Sequence, residues 1–83
     1  MTLFDFQLLS RNEQVSMLYE EGVYIGKRKE GGLTILLYQV DSFYVEVYYR
    51  KYRKYIDRIR CSASTVMLDP YLEQINVEHV VGS

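Results

Sequence analysis

Six of the ten basic side chains fall between Arg50 and Arg60, in the run YRKYRKYIDRIR that spans residues 49–60. Guanidinium groups pair with carboxylates and phosphates, and interleaved aromatic rings add stacking and cation–π contact. Equipment for covalent or acid–base chemistry is sparse beside this. His79 is the sole histidine and sits near the end of the sequence, so neither a histidine-dependent triad nor a histidine metal site has its companions. Cys61 is also alone, which leaves no intramolecular disulfide and no cysteine-based metal site. Strand alternation points Cys61 towards the core, where a thiol is inert. Gly22, Gly26 and the pair Gly31-Gly32 lack the spacing of a phosphate-binding loop, and the pair suits a hairpin turn instead. Glu46 has the type of a general base, but an ion pair with Arg50 or Arg58 accounts for it more simply. The expectation is a protein that is not an enzyme and uses no cofactor and no metal.

The elements that hold these residues can be read from periodicity. At 83 residues the chain makes one domain, 1–83, and its 48% hydrophobic and 25% charged content is that of a folded globular protein. Ser10-Arg11-Asn12-Glu13 has capping-box spacing and predicts a helix over about 11–21, with Gly22 as a left-handed stop. Residues 2–9 suit a short preceding turn packed through Leu3, Phe4, Phe6, Leu8 and Leu9. Gly31-Gly32 and Asp41-Ser42 separate three β-rich runs, 23–30, 33–40 and 43–50, and a fourth covers 55–62. Ser64 then opens a second helical stretch in which Leu68, Leu72 and Ile75 form a stripe. Pro70 either kinks that helix or starts a new one capped by Asp69. The expected class is α+β: helix, four-stranded antiparallel β-meander, helix, with both helices on one face of the sheet.

That arrangement leaves the other face free. Alternation and the second strand's two apolar sides assign to it Tyr24, Tyr38, Tyr44 and Tyr48 among Arg28, Arg50, Arg58 and Arg60, with Glu46 in the middle. Cross-strand tyrosine pairs on a solvated face explain such a pattern structurally, at about 0.2–1 kcal/mol per pair. An open face of aromatics and arginines is also a binding surface. Tyr49 and Tyr55 close a hairpin whose basic tip, Arg50 to Lys54 with Arg53, either blunts the sheet edge or contacts phosphate.

Charge is segregated. Residues 22–63 hold nine basic against four acidic side chains, a balance of +5, while the flanks hold Arg11 against seven acids, a balance of −6. The functional expectation is a non-catalytic protein-interaction module whose partner is another protein or itself, as a homodimer. The alternative is weak single-stranded nucleic-acid binding through the same face and the 50–54 tip. A pI of about 5.7 opposes it. The same acidity separates the chain from small bacterial toxin ribonucleases, which share a helix-then-meander order but are strongly basic. The N-terminus MTLFDFQLL lacks a basic lead, and no apolar run is long enough to span a bilayer, so no membrane partner and a cytoplasmic location are expected.

The capped first helix with VYIG, LLYQVDSFYVEVYY, RIRCSAS and LDPYL resembles a group of short single-domain bacterial proteins of the Bacteroidota, a domain of unknown function. The resemblance covers most of the chain. It implies FYVEV on a strand and PYL in the last helix, with no activity or site residues attached.

Overall fold

Two capping boxes open the chain. Thr2 Oγ1 accepts from the Asp5 amide while Asp5 Oδ2 accepts from the Thr2 amide, starting helix α1 (Leu3–Gln7). Ser10 and Glu13 repeat the exchange for α2 (Arg11–Glu21). Each box satisfies two amides that a helix start leaves without partners. The capping contacts hold the Asp5 and Glu13 carboxyls below their ordinary pKa range. In the computed structural model, which describes residues 1–51 and 54–72, α2 runs straight into the sheet. Gly22 is extended there (φ −72°, ψ 143°) and not left-handed as expected. Its requirement is steric, because a Cβ at this position would lie 2.6 Å from the Leu18 carbonyl oxygen.

Four strands follow in the order β1-β2-β3-β4, all antiparallel neighbours: β1 (Val23–Glu30), β2 (Leu33–Val40), β3 (Phe43–Lys51) and β4 (Tyr55–Ser62). The α+β class and the four-stranded antiparallel meander are as the sequence predicts. Both early turns place a positive φ on their first loop residue, Gly31 (60°) and Asp41 (51°). Glycine and aspartate tolerate that conformation at little steric cost.

One face of the sheet carries the main core. Leu36, Tyr38 and Val40 from β2 and Phe43, Val45, Val47 and Tyr49 from β3 pack under Phe6 of α1 and Leu18 of α2. Phe6 meets Phe43 with ring centroids 5.6 Å apart. Arg11 Nη1 donates to the Ile56 carbonyl at 3.1 Å, tying the start of α2 to β4.

The C-terminal segment goes to the opposite face, which corrects the expectation of both helices on one side. A 3-10 turn (Thr65–Leu68), capped by Ser64, leads into helical residues 69–72, so Pro70 falls in a first turn where its missing amide costs nothing. Tyr71, not Leu68 or Leu72, is the buried side chain of this segment, and Leu72 is exposed. Ile75 and His79 lie outside the described residues. The physical reason is that Ile35 and Leu37 on β2 are fully buried on this second face and require a cover of their own. No helix among the described residues is long and apolar enough to cross a membrane.

Candidate functional site

The second face is built around one buried carboxylate. Glu46, at the middle of β3, is 3% exposed, and both its oxygens are engaged. Oε1 accepts from Tyr48 Oη at 3.1 Å. Oε2 accepts from Tyr71 Oη at 2.9 Å and from Arg28 Nη2 at 3.2 Å. Arg28 reaches outward as well, donating from Nη1 to Glu30 at 2.6 Å. Burial alone lowers the Arg28 pKa, but Glu30, Tyr71 and Glu46 outweigh it and the net shift is upward. Arg28 Nε is buried with no hydrogen-bond partner among the described residues, a residual cost of this packing. Burial, followed by the Glu46 contact, raises the Tyr71 phenol well above its ordinary value.

Placement of Arg28 depends on a bulge. The β1–β2 register runs Tyr24↔Tyr38 and then Gly26↔Leu37, so Ile25 is the extra residue. The insertion turns Arg28 to the second face while Tyr24 stays on the first. The Tyr71 ring crosses Gly26 here: a Cβ on Gly26 would stand 3.1 Å from Tyr71 Cδ1.

Arginines border the buried cluster. The Arg58 guanidinium lies 4.4 Å from the centroid of the Tyr48 ring, and Arg60 Nη1 donates to Tyr48 Oη at 3.3 Å. Both residues are exposed, whereas Tyr48 is 1% exposed. Among the described residues the carboxylate nearest Arg58 is Asp57 at 3.7 Å, whose other oxygen accepts from Arg50 Nε at 2.8 Å. Arg60 has no carboxylate within ion-pair distance among the described residues.

The expected surface is therefore regrouped. Tyr24 and Tyr38 pack edge-to-face on the helix side at 5.8 Å, the first because of the Ile25 bulge and the second because β2's even positions face the core. Glu46 and Tyr48 lie on the second face as expected but are buried, and Glu46 pairs with Arg28 instead of Arg50 or Arg58. Tyr44 is half-buried on that face, opposite Ser62. Arg50 stands at a double irregularity where the register passes from Tyr48↔Arg58 to Tyr49↔Ile56 and Lys51↔Tyr55. Arg50 and Asp57 are the two extra residues and bind each other, and the slip turns Ile56 into the core against simple alternation. Arg53 lies outside the described residues. Cys61 packs against the core as predicted.

Tyr71 is the residue that sequence reasoning missed, and Gly26 was its signal, since a lone glycine within a strand marks a bulge or a close approach. Between this face and the C-terminal turn lies a cleft of about 500 Å³ bordered by Glu46, Arg60, Ser62, Ser64, Met67 and Pro70, among others. A smaller groove of about 320 Å³ follows α2, with Glu13 and Glu20 as its charged groups. No group of three or more potential metal ligands occurs among the described residues. Comparison of the chain with protein-family models, curated proteins and solved structures gives no match in any of the three.

Proposed function

We propose that the protein is a small non-catalytic binding module that takes an acidic segment of a protein partner on the arginine side of the β3–β4 hairpin. The observation that carries this reading is the mounting of Arg58 and Arg60 on the buried Tyr48. Two long, flexible side chains are held by a rigid ring and hydroxyl, so less rotamer entropy is lost when they bind. A guanidinium held over a ring through its carbon retains N–H groups for a carboxylate. Glu46 supports the non-catalytic reading, since it is buried and its carboxylate already accepts from Arg28, Tyr48 and Tyr71.

A protein partner is favoured over nucleic acid by the burial of Tyr48 and Tyr38, which removes two rings from any base-stacking platform. A second copy of the chain carries a suitable acidic segment, because Glu13, Glu20 and Glu21 are exposed on α2. We place the protein in the cytoplasm on the single, unpaired Cys61.

The test titrates the protein with a fluorescein-labelled glutamate-rich peptide and, separately, a single-stranded oligonucleotide of equal charge, read by anisotropy. The reading expects tighter binding of the peptide. Tighter binding of the oligonucleotide, with a steep salt slope, replaces it with nucleic-acid recognition. Failure of both ligands at millimolar concentration removes it.

A further inference from the structure

The cleft between the second sheet face and the C-terminal turn brings together the donors of Arg60, Ser62 and Ser64. Arg60 donates once, to Tyr48 Oη, and meets no carboxylate among the described residues. Ser62 Oγ accepts from the Ser64 amide at 3.0 Å, and Ser64 Oγ accepts from the Val66 amide at 3.2 Å. These bonds orient both hydroxyls and leave their hydrogens uncommitted among the described residues. Glu46, on the floor, is buried and already accepts from Arg28, Tyr48 and Tyr71. Val66, Met67 and Pro70 supply an apolar lip.

We propose that this cleft is a carboxylate socket, in which Arg60 pairs with one acidic side chain or chain end and the Ser62 and Ser64 hydroxyls donate to the same group. The proposal deepens the acidic-segment reading and rests on it for the identity of the partner. Charge selects a monoanion. Arg28 is taken up by Glu46 and Glu30, so Arg60 is the lining charge left for a ligand, and a phosphate dianion would sit over-charged beside a buried carboxylate. The apolar lip suits the methylenes of a glutamate side chain.

The experiment follows backbone amide and arginine Nε shifts by NMR while the whole protein is titrated with sodium butyrate, sodium phosphate or the glutamate-rich peptide, against matched sodium chloride. Butyrate and peptide are expected to move Arg60, Ser62 and Ser64, with phosphate weaker than butyrate. Peptide affinity should fall about threefold to tenfold in Ser62→Ala/Ser64→Ala and about tenfold or more in Arg60→Gln, with Arg60→Lys intermediate. Because Ser64 caps the 3-10 turn and Ser62 accepts from the Ser64 amide, each variant's fold is checked by its amide spectrum and thermal melt, and the butyrate and phosphate titrations of the wild type keep the test valid where a variant loosens. A peptide that binds all variants like the wild type overturns the socket and leaves the acidic-segment reading standing. Butyrate shifts at these residues without any peptide binding do the reverse. Phosphate binding tighter than butyrate overturns the carboxylate assignment, and no shift with any ligand overturns socket and reading together.

Discussion

At the residue scale, Glu46 is the most consequential side chain. A buried carboxylate is tolerable only when its charge and lone pairs are met, and here one arginine and two phenols meet them. Glu46→Ala leaves Arg28 without its buried partner and is expected to cost about 3–5 kcal/mol in urea denaturation. Tyr71→Phe removes one hydrogen bond to a charged group, at about 1.5–3 kcal/mol. It also changes the alkaline limb. The Tyr71 pKa is raised in the folded protein, so its contribution is intact below the ordinary phenol value of about 10 and is lost as pH rises through the higher folded value. Wild type should therefore lose stability more steeply than Tyr71→Phe above about pH 10, in melts taken across that range. Parallel slopes would show that Tyr71 is not held as described. None of this cluster was legible as a cluster. Alternation put Glu46 and Tyr48 on one face, yet no local pattern reports that Tyr71, 25 residues further on, closes over Glu46.

At the element scale, strand boundaries, turns and the Ser10–Glu13 capping box were legible because each depends on neighbouring residues. The faces were less so, because a bulge reverses alternation without disturbing the hydrophobic pattern. Ile25 separates Tyr24 from Arg28, and the Arg50–Asp57 irregularity brings Ile56 into the core. The two-sided apolar character of β2 was a readable demand for cover on both faces, and it decides the placement of the C-terminal segment. Gly26 is the hinge of that arrangement. Gly26→Val forces its side chain against the Tyr71 ring and should weaken the Tyr71–Glu46 contact. A double-mutant cycle with Tyr71→Ala is expected to show coupling of about 0.5–3 kcal/mol. Additive effects would mean that Tyr71 does not pack on Gly26.

At the scale of the whole molecule, a basic middle and acidic flanks coexist in a chain of net charge −1. The middle pairs with its own acids, Arg28 with Glu46 and Glu30 and Arg50 with Asp57, so its positive balance stands. On the second face, the guanidinium groups left without a close carboxylate among the described residues are Arg60 and the loosely paired Arg58, both mounted on Tyr48. That residue-level remainder is why an acidic protein segment is the proposed partner. Exposed charges of this kind bind with marked salt dependence, so affinity should decline between about 50 and 300 mM salt, although less steeply than for a polyphosphate chain. The most direct measurement is the dissociation constant of the glutamate-rich peptide for wild type and for Arg58→Gln/Arg60→Gln at one salt concentration, with thermal melts of both. The account predicts binding weaker by about tenfold or more in the variant while both proteins remain folded at the temperature of the measurement. Equal affinities in two equally folded proteins would contradict it.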